Sequence, residues 1–191
     1  MQVRRVVTGH DADGSAVVAS DELVDPVTVV MAPGSEFHRL WGGDAPPSFP
    51  DAGGQPSHVS YFPPIGGFRF GLFSVPPSAP PTSGGGETRD VGPELDMEAA
   101  VAEMESKVPG LAGHMEPGAP GMHTTATIDF EVVLDGEVWL ELDGGVEVKL
   151  GRGDCIVQNG TRHAWRNHGA VPARLAVFNV GAAHAGVPSA G

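Results

Sequence analysis

Between residues 121 and 181 the chain is a succession of short β-type runs cut by glycine-containing turns, a pattern that leaves few architectures open. Ile128, Phe130 and Val132 alternate with Asp129, Glu131 and Val133, so the two sets belong to opposite faces of one strand. Asp135-Gly136 is a strong two-residue hairpin signal and leads into an apolar run over 138–142. Asp143-Gly144-Gly145 turns the chain into 146–150, and Gly151-Arg152-Gly153-Asp154 turns it again before 155–158. A final run covers 174–180. Many short strands joined by Gly, Asp and Asn turns predict an all-β sandwich or barrel.

Upstream of 121 the pattern is looser. Short β segments are expected at 3–7, 16–19 and 27–31, then an irregular Gly/Pro-rich stretch over 41–64, then a strand over 68–75. Residues 76–92 have linker composition and read as a passive loop or a lid over a site. A helix is predicted over 93–108, with Pro93 at its start and Pro109-Gly110 at its stop. Met97, Val101, Met104 and Val108 form an apolar stripe on it, expected to pack against the sheet. The domain organisation read from these signals is an N-terminal extension over 1–120, a barrel core over 121–181 and a flexible tail over 182–191.

Charge narrows the partners. Eleven Lys and Arg stand against 24 Asp and Glu, a net charge of −13. Such a chain repels phosphate backbones and anionic membranes, so neither nucleic acid nor membrane is expected as a partner. Arg162, Arg166 and Arg174 form a local cluster that could hold a small anion or simply be solvated. The single cysteine, Cys155, rules out an intrachain disulfide and fits a reducing compartment. Within Cys155-Ile156-Val157 it reads as a buried, inert thiol. The apolar start of the chain is broken by Thr8-Gly9-His10-Asp11, so no signal peptide is read, and a cytoplasmic location is expected.

The chemistry concentrates at His123-Thr124-Thr125-Ala126-Thr127-Ile128-Asp129. Positions 123, 125, 127 and 129 share a parity, so His123 and Asp129 project from the same face of a strand. His163 supplies a second imidazole beside the turn residues Asn159-Gly160-Thr161. Two imidazoles and a carboxylate converging inside a β structure form a metal site of the facial-triad type.

These residues resemble the two motifs of the cupin superfamily. In the first, a glycine precedes His-x-His, then a glutamate, then a glycine. His123 matches its first histidine, Thr125 stands where the second belongs, Asp129 replaces the glutamate and Gly136 falls at the closing glycine. The second motif is similar to residues 153–167, where Gly160, His163 and Asn167 keep its internal spacing and Asn159 replaces a turn residue. The likeness covers residues 121–181.

The resemblance implies a double-stranded β-helix (jelly-roll) barrel with an N-terminal β extension and one helix. It implies a divalent metal ion (iron, manganese, zinc or nickel) on His123, Asp129 and His163. Thr125, Glu131 and Arg162 would then orient a small-molecule substrate or move protons, in dioxygenase-type or redox-neutral chemistry. A homodimer exchanging N-terminal strands is also implied. Two alternatives stay open: a metal-free enzyme using His163 or Glu131 as acid or base, and a barrel that binds a small ligand without turnover. His114, in a Gly/Pro loop, is a further source of an imidazole.

Overall fold

The computed structural model describes residues 2–78 and 96–187. The chain opens with a hairpin, β1 (Val3–His10) and β2 (Ala16–Val24), which pair only with each other. The Asp11 carboxylate closes its turn by accepting from the backbone N–H groups of Asp13 and Ser15, each at 2.9 Å. Then come β3 (Phe37–Gly43), β4 (Phe68–Val75) and the helix α1 (Met97–Lys107). The second half supplies β5 (Thr127–Asp135), β6 (Glu137–Glu141), β7 (Glu147–Gly151), β8 (Cys155–Asn159), β9 (Ala164–Arg166) and β10 (Ala173–Gly181).

Every strand pairing is antiparallel. One sheet runs β3-β4-β10-β5-β8 and a second runs β7-β6-β9. Gly136 carries the chain from β5 in the first sheet to β6 in the second, at φ 76°. A Cβ there would sit 2.8 Å from the Ala173 Cα, so no other residue suits this corner. The two sheets close on Val133, Val138, Leu140, Ile156, Ala173 and Leu175, with Phe73 and Trp165 packed at the margin. This is the jelly roll that the family resemblance implies. The barrel takes strands from both sides of residue 121, since β3 and β4 complete its larger sheet.

Strand alternation decides what this barrel encloses. On β5 the inward set is Thr127, Asp129, Glu131 and Val133, while Phe130 and Val132 face out. The outer face of the larger sheet consequently carries an apolar row in register, Trp41 to Phe70 to Phe178 to Phe130 to Val157.

Several expectations change. β3 falls partly in the stretch read as irregular; a bulge between Arg39 and Trp41 breaks its alternation and hides it from a period-two reading. Of 27–31, only Val27 is paired, through one bridge to Phe37. On α1, capped by Asp96 accepting from the Ala99 N–H at 3.0 Å, the buried line is Ala100, Met104 and Val108. Met97 and Val101 are 54% and 41% exposed, because the helix covers a second cluster with Val29, Phe62 and Leu111 rather than lying flat on the sheet. Cys155 is exposed, since β8 turns Ile156 and Gln158 inward. Pro93, residues 79–92 of the linker-like stretch and 188–191 of the tail lie outside the described residues. Among the described residues no helix is long and apolar enough to cross a membrane.

Candidate functional site

The barrel interior is apolar at one end and polar at the other, and β5 makes the transition. Val133 belongs to the apolar core; two and four residues earlier on the same face stand Glu131 and Asp129. Cross-strand register places Asn179 and Gln158 on either side of Asp129, and Val177 and Ile156 on either side of Glu131. The Asp129 carboxylate accepts hydrogen bonds from Asn179 and Thr127. The Thr127 hydroxyl is itself 2.8 Å from the Thr125 hydroxyl, so Thr125, Thr127 and Asp129 form a buried chain of hydroxyls ending on a carboxylate.

The two carboxyl groups are only 3% and 4% exposed, yet Asp129 Oδ1 and Glu131 Oε2 have no partner among the described residues. Removing an ionised carboxylate from water without compensation is costly, which favours the protonated form. Burial pushes the Asp129 carboxyl up, against the pull of Asn179 and Thr127. Burial pushes Glu131 well above the usual carboxylate range, and the neighbouring Asp129 adds to the effect. Both carboxyls are thus raised, Glu131 further than Asp129, a separation of the kind that assigns acid and base roles.

Across the polar end, His123 and His163 meet. Each backbone N–H donates to the other's carbonyl, at 2.9 and 3.0 Å, and the rings lie 4.2 Å apart between centroids. The His123 Nδ1–H donates to the Gly121 carbonyl at 2.9 Å and the His163 Nδ1–H to the Thr161 carbonyl at 2.8 Å. This fixes one tautomer on both rings and leaves each Nε2 with a free lone pair. Burial, and then the adjacent His123, lowers His163 to about 4. Burial also lowers His123, and His114 nearby works in the same direction. Both imidazoles are therefore neutral at pH 7.

Tyr61 is the residue that sequence reasoning missed. It is the only tyrosine of the chain and sits in the loop before β4, its backbone N–H donating to the Pro109 carbonyl at 2.7 Å. Edge-on contacts with Phe37 and Phe62 hold the ring. Its hydroxyl is pushed well up by burial; Arg39 opposes this, while Glu131 and Asp129 reinforce it. The tyrosine thus lies within electrostatic reach of both carboxyls and of Arg39. An aromatic in an irregular loop has no period that would assign it inward.

Of the expected site residues, His123 and His163 come together, and Asp129, Glu131 and Thr125 line the same polar end. Thr125 is fully buried with its hydroxyl committed to Thr127. Arg162 is a correction: its guanidinium lies outside the barrel, forked onto Glu116 at 2.7 Å and joined to Asp143 at 2.8 Å. Strand alternation explains this, because His163 next to it points inward. Arg166 is likewise spent on Glu141 at 2.5 Å, so Arg162 and Arg166 make no anion site. His114 donates from Nδ1 to the Gly110 carbonyl at 2.8 Å and packs edge-on against Phe62.

The donor set for a divalent metal is incomplete as arranged. The two Nε2 atoms are free, but among the described residues no three His, Cys, Asp or Glu side chains converge on one point. Asp129 turns its carboxylate to Asn179 and Thr127, and Thr125 offers no imidazole. Iron, manganese, zinc or nickel is therefore not fitted by His123, Asp129 and His163 in this arrangement.

A model of the cupin domain family matches residues 113–180, which contain β5 to β9, most of β10 and both histidines. Residues 113–180 of the chain form a cupin domain. It is 52% identical over 52 residues to the oryzines biosynthesis cluster protein J of Aspergillus oryzae, covering 27% of this chain and 29% of that protein. It is 54% identical over 54 residues to the phomopsin biosynthesis cluster protein D of Diaporthe leptostromiformis, covering 28% of this chain and 29% of that protein. These relatives are thus matched over less than a third of their own length. A longer alignment, 24% identical over 181 residues, covers 91% of this chain and 70% of the cupin-domain-containing oxidoreductase fogC of Aspergillus ruber.

Proposed function

We propose that this protein is an enzyme that moves protons on a small organic molecule at the polar end of its barrel. Glu131 serves as the acid and Asp129 as the base. The observation that carries the reading is the pair of unpartnered oxygens, Asp129 Oδ1 and Glu131 Oε2, on carboxyls removed from water. Buried polar atoms are rarely left without a partner, and perturbed carboxyls that face one another concentrate at functional sites.

The chemistry follows from the two protonation states. An ionised Asp129 accepts a proton from a carbon next to a substrate carbonyl, while the Glu131 carboxyl donates its proton to the carbonyl oxygen. The products are an enol, a protonated Asp129 and an ionised Glu131, and return of the protons at a different position completes an isomerisation. Thr127 holds the Asp129 carboxylate in place and Thr125 holds Thr127. The neutral His123 and His163 accept hydrogen bonds at Nε2 from substrate hydroxyls. Cluster proteins and oxidoreductases among the relatives support an enzymatic role. The oxidoreductase names favour a second reading, oxidation of the same molecule, which requires a redox cofactor that His123, Asp129 and His163 do not hold as arranged.

Deuterium exchange tests the proposal without a known substrate. A panel of enolisable ketones and keto esters is incubated with the protein in D2O and followed by proton NMR. Catalysed exchange in the wild type is expected to fall roughly 100-fold or more in Asp129→Asn and in Glu131→Gln, the range of a positioned acid or base. Exchange that both variants retain would refute the assignment.

A further inference from the structure

The charge of this chain makes a cationic chamber conspicuous. Among 24 acidic and 11 basic residues, a cavity of about 20 Å³ is bounded by Arg39, Arg69, His38, His58, Tyr61 and Asn179, and no carboxylate lines it. The two arginines differ. Arg69 is 5% exposed and its donors are spent: Nε on the Ser60 carbonyl, Nη1 on the Gly43 and Phe68 carbonyls, and Nη2 on Asp44 at 2.6 Å. Arg39 is half-buried and donates only from Nη2, to the Val59 carbonyl at 3.1 Å and the Ser60 carbonyl at 3.5 Å. Among the described residues no carboxylate pairs with it, and its Nε and Nη1 have no partner.

A half-buried guanidinium beside a second cation favours an anionic partner. Burial and the adjacent Arg69 both depress Arg39. A single water fills a cavity of this size but brings no charge. The chamber also adjoins the carboxyl pair. Asn179 lines it and donates to Asp129, and Tyr61 lines it while feeling Arg39 on one side and Glu131 on the other. Trp41 and Phe70 supply apolar wall, suited to the carbon next to an anionic group.

We propose that Arg39 is a substrate-binding residue, and that the molecule handled by Asp129 and Glu131 is an organic acid whose anionic oxygen enters this chamber. The inference rests on the proton-transfer reading and names its substrate class. A guanidinium N–H makes a charge-assisted hydrogen bond to an anionic oxygen, and Arg39 has the single donors Nε–H and Nη1–H unspent. An anion bound there presents its neighbouring carbon toward Tyr61 and the carboxyl pair.

Titration calorimetry with benzoate and its uncharged isostere benzamide tests the inference, using wild type, Arg39→Gln, Arg39→Lys and Glu131→Gln. The wild type is expected to prefer benzoate by about tenfold or more, as one charge-assisted contact supports. That preference should vanish in Arg39→Gln, weaken in Arg39→Lys and persist in Glu131→Gln. Circular dichroism checks each fold; should Arg39→Gln not fold, the weakened preference in Arg39→Lys carries the test. Equal binding of the two probes by the wild type, binding of neither, or an undiminished preference in the Arg39 variants would overturn it. Loss of exchange in Glu131→Gln with benzoate preference intact separates this inference from the proton-transfer reading.

Discussion

His163 makes stability depend on pH with a sign and size that follow from its surroundings. The ring is 1% exposed, and burial, with His123 beside it, holds it at about 4 against an ordinary 6.5. In the unfolded chain His163 takes up a proton near pH 6.5, whereas in the barrel it stays neutral until about pH 4. As pH falls through this window the unfolded state binds more protons, so the native state loses stability. At 1.36 kcal/mol per pH unit, the loss between pH 7.5 and pH 4.5 is about 2–3 kcal/mol. A His163→Gln variant carries no such proton. Urea denaturation of both proteins at the two pH values should show the variant gaining about 2–3 kcal/mol on the wild type as the solution is acidified. A difference between the two proteins that is the same at both pH values would refute the buried, neutral imidazole.

Two further outcomes follow from the same surroundings. Glu131 has the opposite sign: its raised carboxyl keeps a proton that the unfolded chain gives up above about 4.5, so it lowers stability as pH rises. Glu131→Gln should therefore melt higher than wild type at pH 7 and gain little at pH 4, with a lower melting temperature at pH 7 contradicting the account. Arg162→Ala should change proton-exchange activity less than about twofold, because exposed ion pairs contribute on the order of 1 kcal/mol or less and this one lies outside the barrel; a loss as large as that of Asp129→Asn would put Arg162 back in the site.

Much of this was legible because strands have a strict period. The parity of residues 123 to 129 placed His123, Thr125, Thr127 and Asp129 on one face, and extending it by one step brought in Glu131. The same rule assigns Arg162 outward once His163 is inward, which the motif-based reading overlooked. Cys155 was misjudged because three consecutive apolar residues carry no alternation. On α1 the stripe drawn through Met97 and Val101 leaves out Ala100, which is buried. Arg39 and Tyr61 were out of reach for another reason. One sits at the bulge of β3 and the other in a loop that folds back under the Pro109 carbonyl, so tertiary contacts alone set their direction.

The central claim is that Glu131 remains a carboxylic acid at neutral pH beside Asp129. Infrared difference spectroscopy of the wild type against Glu131→Gln reads this directly, through the carbonyl stretch of a protonated carboxyl. The account predicts such a band in the wild type at pH 7, fading only well above the usual carboxylate range and missing from the variant. A wild-type spectrum in which every carboxyl is ionised by pH 6 would contradict it.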